Sequence, residues 1–373
     1  MTILAVPPLL PTIHRDLHLS EKLVGALTAL PVLLLSAAAV LGSLLVARLG
    51  ARRALILGLC LVAAAGAARG AGGTTSILFL MTFAMGAGIA VSQPALPSLV
   101  RQWFPSQSGL ATAVYSNGLL MGEIVAVSLT VAVILPLVGQ SWQLTLFIWS
   151  IPVIITAVTI ALWTPHVSRE PHDEPILWWP DWRDRQTWSL GLILGCASIA
   201  YFGANAFIPD YLKATHHGAY ISAALTSLNV GQLPASLLVA AAPQYLVGRR
   251  WPVAATGFIM FFAAIGLYAS GPWVIADASV LGFCAAMIFV LSLALPPVLA
   301  GEHEVHRLSA AMFAIAYTCS FGASFLGGAL WDATGIAKTT YAPIVLAGPL
   351  MIALVSRLQL SVTSADHPEQ GSG

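Results

Sequence analysis

Apolar segments of about twenty residues, divided by short polar punctuation, recur along the whole chain. They fall at 1–13, 24–47, 53–68, 75–100, 108–136, 142–163, 187–210, 219–242, 251–270, 273–297, 308–331 and 339–356. A helix rises ~1.5 Å per residue, so ~20 apolar residues cross the ~30 Å hydrocarbon layer of a bilayer. The pattern predicts twelve membrane helices, the first too short to cross as it stands. Pro7, Pro8 and Pro11 crowd that first segment and no charged stretch precedes it, which argues against a cleaved signal.

Composition sharpens this picture. Of the residues, 58% are hydrophobic and 8% charged, with mean hydropathy +0.86, whereas a soluble domain carries roughly a quarter charged residues. The net charge of +1 offers no basic face to a nucleic acid. Cys60, Cys196, Cys284 and Cys319 lie inside apolar runs and read as small buried hydrophobes rather than a disulfide or metal set. All nine histidines fall outside the apolar runs. Glu302, His303, Glu304 and His306 are zinc-type ligands, but a short polar loop is solvated in any case and no metal is expected. No catalytic Ser/His/Asp set and no phosphate-binding glycine loop occurs, so neither an enzyme nor a cofactor is expected.

Arg48, Arg52, Arg53, Arg101, Arg169, Arg183, Arg185, Arg249, Arg250, Arg307 and Arg357 all fall on one side of the alternating topology. Arg15, Lys22, Arg69, Lys213 and Lys338 fall on the other. The positive-inside rule makes the first side, and with it both termini, cytoplasmic. The polar connection 164–186 then joins two halves, with Trp178, Trp179 and Trp182 resting at the membrane interface. The expected organisation is a bundle over 1–164, a linker over 165–186, a second bundle over 187–358 and a cytoplasmic tail over 359–373.

The halves repeat. Ala26-Leu27-Thr28-Ala29-Leu30-Pro31-Val32 returns 198 residues later as Ala224-Leu225-Thr226-Ser227-Leu228-Asn229-Val230. At the same offset Gly50-Ala51-Arg52 meets Gly248-Arg249-Arg250, and Leu9-Leu10-Pro11 meets Phe207-Ile208-Pro209. With one residue of slippage, Leu96-Pro97 meets Leu295-Pro296. A constant offset separates a duplication from the chance likeness of Ala/Leu-rich helices. Parallel repeats about an axis along the membrane normal mark one large class of secondary transporters. The seventh segment starts near Thr187, so its counterpart is expected to begin before Met1, leaving the first helix truncated.

Within the fifth segment, Tyr115-Ser116-Asn117-Gly118-Leu119-Leu120-Met121-Gly122-Glu123 places a carboxylate near mid-membrane, deeper than any other ionisable group. A charge there costs on the order of 3 kcal/mol even on lenient insertion scales, so Glu123 is expected to face protein or a watery cavity. A carboxyl in that position is suited to taking and releasing a proton as water access alternates, or to a plain hydrogen bond with a neighbouring helix.

Two local motifs carry a resemblance. Gly42 to Arg53, with Arg48, Gly50, Arg52 and Arg53, resembles the loop between helices two and three of the major facilitator superfamily, although Ala47 stands where its Asp belongs. Ala26–Val32, Gln93-Pro94-Ala95-Leu96-Pro97-Ser98-Leu99-Val100-Arg101-Gln102-Trp103-Phe104 and Leu120-Met121-Gly122 are similar to the cyanate and 2-nitroimidazole transporter family within it. The resemblance implies an all-α integral membrane protein, two six-helix bundles related by a pseudo-twofold axis. It also implies secondary transport of a small polar or anionic compound, by a monomer in the bacterial inner membrane. The alternatives are a drug–proton antiporter, whose Pro-containing fifth-helix signature is missing after Gly118 and Gly122, and a membrane receptor that does not transport.

The same resemblance puts the substrate at the midplane between the halves. Polar and aromatic side chains at that depth are Thr28, Gln93, Tyr115, Asn117, Tyr201, Phe202, Asn205, Asn229, Gln232, Tyr317 and Ser320. Each is equally suited to binding a ligand or to bridging helices. Backbone N–H groups beside Pro31, Pro94 or Pro234 are a further source of partial positive charge.

Overall fold

A computed structural model describes residues 5–19, 21–71, 73–164, 178–269, 271–301 and 304–358, with several residues near the start, Thr28 and Pro31 among them, described by backbone alone. The predicted linker residues 165–177, the tail 359–373, Glu302 and His303 lie outside this set. The described chain is helical, with no strand.

In the first half, α1 is Val6–Leu17, α2 Glu21–Leu49, α3 Ala51–Ala68 and α4 Thr75–Trp103. Helix α5, Ser108–Leu129, continues through a π turn at Thr130–Ile134 into Leu135–Leu137, and α6 is Trp142–Trp163. In the second half, α7 is Arg185–Ala214 and α8 comes in two pieces, Ile221–Val230 and Gln232–Ala241. Helices α9 (Arg250–Gly266), α10 (Trp273–Ala294), α11 (Val305–Thr334) and α12 (Ala342–Val355) complete it. Among the described residues, eight passes are long and apolar enough to cross a bilayer, and α5 with its continuation makes a ninth.

The start residues of α3 to α6 and of α9 to α12 correspond within two residues of the 198-residue offset. The turns correspond as well. Gly50 (φ 83°) and Gly248 (φ 74°) take the left-handed conformation that glycine adopts without strain. His18 (φ 47°) and His216 (φ 60°), also 198 apart, share the same unusual backbone.

Each half packs on itself. Helix α3 lies between α4 and α6, and α2 against α4; in the second half α7 pairs with α11, α9 with α12, and α8 with α10. Lipid supplies no hydrophobic drive between helices, so close approach of small residues holds them. A methyl at Gly282 on α10 would strike the Leu228 carbonyl of α8. Helix α7 starts at Arg185 because the Asp184 carboxylate accepts from Gln186 N (3.0 Å) and Thr187 N (2.9 Å). Helix α11 starts earlier than hydropathy alone suggests, which draws His306 into its buried first turn. Helices α2 and α4 run through Pro31 and Pro94, while α8 breaks at Gly231, three residues before Pro234.

The halves meet asymmetrically. Helix α2 lies against α11, and α5 against α8 and α10. The cross-half hydrogen bonds of the described residues occupy the middle and the arginine-bearing end. Ser36 Oγ pairs with Thr318 Oγ1 (2.6 Å), Ser236 Oγ donates to Asn117 Oδ1 (2.5 Å), and Arg101 Nη1 donates to Pro297 O (2.6 Å). Ser43 Oγ also donates to Trp178 O of the linker (2.8 Å). Burial follows the same gradient. On α11 nearly every residue from Val305 to Tyr317 is buried, whereas Phe321, Phe325 and Leu326 beyond it are exposed. The seam is shut at the arginine-bearing end and parts toward the other.

Candidate functional site

Where the seam begins to part, side chains from five helices converge. Gln93 of α4 donates Nε2–H to Tyr317 Oη of α11 at 2.8 Å, a bond between the halves. The other Gln93 amide atom, Oε1, is buried without a described partner. On the second half, Tyr201 Oη of α7 donates to Asn229 Oδ1 of α8 at 2.9 Å, and Gln232 Nε2 donates to the same oxygen at 3.3 Å. Asn229 and Gln232 flank the break at Gly231 and stay on one face. Phe202 meets Tyr201 and Tyr317 edge-on at centroid distances of 5.2 and 6.2 Å, and Phe313 stacks on Tyr317 at 6.1 Å.

Glu123 of α5 reaches this cluster from the first half. It is partly exposed, and its carboxylate interacts electrostatically with the phenols of Tyr201 and Tyr317, so the space it opens onto is the seam. The cluster offers an aromatic wall, three carboxamides and one carboxylate. Such a set can hold a small planar compound by stacking, satisfy its polar substituents, and exchange a proton with water.

The remaining predicted residues take other places. Asn117 is tied across the seam to Ser236 and donates Nδ2–H to Ala113 O at 3.0 Å, so its amide acts between helices. Ser320 is buried and donates to Ser198 O of α7 at 3.4 Å. Asn205 donates to Tyr201 O of its own helix at 2.9 Å. Tyr115 is half-buried against the large core that joins the halves. The Thr28 side chain lies outside the described residues. Ser36, Thr318, Phe313 and Arg101 also serve the seam, and nothing in residue type or hydropathy singled them out.

In the loop after α2, Gly50 makes the turn and Arg52 turns inward. Its Nε donates to Thr164 Oγ1 (2.9 Å) and its Nη2 to Ala161 O (2.6 Å) and Ile160 O (3.4 Å), closing the carbonyl end of α6. Arg48 and Arg53 are exposed. At the opposite end Arg69 is fully buried, and desolvation lowers its pKa to about 10, still well above neutrality, so it stays charged. Among the described residues no group of three His, Cys, Asp or Glu is placed to hold a metal.

Two helical bundles with a seam of this kind define a membrane transporter. The sequence profile of the Major Facilitator Superfamily matches residues 1–327, and the chain belongs to that family. It is 27% identical over 347 residues to the 2-nitroimidazole transporter of Escherichia coli (strain K12), covering 90% of this chain and 86% of that one. It is 24% identical over 255 residues to the cyanate transport protein CynX of the same organism, covering 66% of this chain and 64% of that protein. Among solved structures, the major facilitator transporter FucP in its outward conformation superimposes with a TM-score of 0.76 at 14% identity, over 96% of each chain.

Proposed function

We propose that the chain moves a small polar compound, similar to a nitroimidazole or cyanate, across a bacterial inner membrane by alternating access of its two halves, with Glu123 carrying a coupled proton. The arginine-bearing end is read as cytoplasmic under the positive-inside rule, so the seam described above opens outward. The observation that carries the reading is the convergence of Gln93, Glu123, Tyr201, Asn229, Gln232 and Tyr317 where the closed part of the seam ends. The Tyr201, Phe202 and Tyr317 rings suit a flat heterocycle, and the amides suit nitro, cyanate or ring-nitrogen groups. The names of the two bacterial relatives point to the same compounds. The protein acts as a monomer, each half supplying one wall of the site.

The test is uptake of 2-nitroimidazole and of cyanate into proteoliposomes, with and without a pH gradient, for the native protein and Glu123→Gln. Uptake that the gradient stimulates, with the stimulation lost in the variant, supports the reading. A Glu123→Gln protein with unchanged uptake and unchanged pH response removes the coupling role. Failure of both compounds to enter above empty vesicles removes the substrate class.

A further inference from the structure

Hydroxyls on the transmembrane helices of this protein follow one habit, donating to the carbonyl four residues back. Thr82 bonds Leu78 O (2.7 Å), Ser92 bonds Gly88 O (2.9 Å), Ser198 bonds Leu194 O (3.0 Å) and Thr256 bonds Pro252 O (2.6 Å). Helix α5 departs from it. Thr112 and Ser116 are both 0% exposed, and neither hydroxyl has a described hydrogen-bond partner, Ser116 merely lying against the Tyr115 phenol. Ser108 precedes them by one helical turn and is buried as well. Spacings of four, four and then seven residues place Ser108, Thr112, Ser116 and Glu123 on one face of α5. Leu120, 4% exposed, is the apolar residue on that face between Ser116 and Glu123. Helices α4, α8 and α10 pack on α5, and along the stripe they bring no charged side chain except Arg101 near its far end.

A buried hydroxyl that forgoes its own carbonyl is satisfied by internal water. We infer that the Ser108–Thr112–Ser116 face of α5 holds a file of water that carries the proton of Glu123 to the arginine-bearing surface, with Leu120 as the dry plug that separates the file from the carboxylate in this state. This rests on the coupling role proposed for Glu123. The proton leaves the carboxyl, leaving a carboxylate. Each water or hydroxyl then accepts one proton and donates its own onward until one is released near the exposed Ser106 and Gln107. The path from Glu123 to Ser108 is fifteen residues, about 22 Å of helix, through the part of the seam that is closed. The plug is required because Glu123 already faces the parted side, and water on both sides at once would dissipate the gradient.

The experiment is passive proton flux into pyranine-loaded proteoliposomes under a potassium–valinomycin potential, for Leu120→Thr and Leu120→Ala, each checked for a monodisperse gel-filtration peak. Both are expected to leak protons several-fold faster than the native protein. Adding Thr112→Val, which keeps shape and removes the hydroxyl, is expected to return the flux to the native level, as is adding Glu123→Gln. Folded Leu120 variants without a leak overturn the inference. A leak that Glu123→Gln removes and Thr112→Val leaves also overturns it while sparing the coupling role of Glu123. A leak that Thr112→Val removes and Glu123→Gln leaves upholds the water file and overturns the coupling role.

Discussion

Arg52 and Arg250 stand 198 residues apart and do the same thing. Arg52 Nη2 donates to Ile160 O at the end of α6, and Arg250 Nη2 donates to Leu358 O beyond the end of α12, the acceptors being again 198 apart. Each guanidinium sits at the start of its half's third helix and closes the carbonyl end of its sixth. The duplication has preserved a clamp inside each half rather than a lock between halves.

Truncating either arginine should therefore weaken its own half and leave the seam alone. Arg52→Ala and Arg250→Ala are each expected to destabilise by about 1–2 kcal/mol, the scale of a charge-assisted bond to a helix end. The double variant should lose the sum, because the sites share no partner. Thermal unfolding in detergent measures all three.

Gly282 and Gly118 should respond oppositely to an added methyl. At Gly282 the methyl collides with the Leu228 backbone, so Gly282→Ala must push α8 off α10 and cost about 3 kcal/mol. At Gly118 nothing lies within 4 Å of the place a methyl would occupy, so Gly118→Ala should change stability by less than about 0.5 kcal/mol. Folded yield and unfolding temperature separate the two.

The bond from Gln93 to Tyr317 should bias the seam toward closure at the arginine-bearing end. Tyr317→Phe removes the acceptor while keeping the ring. A bond between membrane helices contributes ~0.6 kcal/mol, so the open fraction at that end should rise roughly threefold. Alkylation of a Ser98→Cys reporter, buried on α4 near Arg101, measures it.

Much of this architecture is legible in the sequence because lipid leaves so few choices. Twelve apolar runs and a fixed offset suffice to place the helices of both halves, and the turns at Gly50 and Gly248 follow from the same alignment. The site was legible by residue type and depth but not by direction. Gln93, Tyr201, Phe202, Asn229, Gln232, Tyr317 and Glu123 gather at the seam, whereas Asn117 and Ser320, equally polar and equally deep, bridge helices. Only the rotation of each helix distinguishes the two groups, and rotation is set by packing against neighbours far away in sequence. Thr112 and Ser116 escaped notice because a helical hydroxyl ordinarily satisfies itself, and their failure to do so is visible only in three dimensions.

If the halves rock about this cluster, one end must open as the other closes. Two pairs of spin labels test it by pulsed dipolar spectroscopy, Phe104 with Val298 at the arginine-bearing end and Leu137 with Ala219 at the other. All four positions are exposed. Comparing the native protein with Tyr317→Phe in lipid, the first distance should lengthen in the population where the second shortens. Distances that change together, or a single unchanging distance at both ends, would contradict the account.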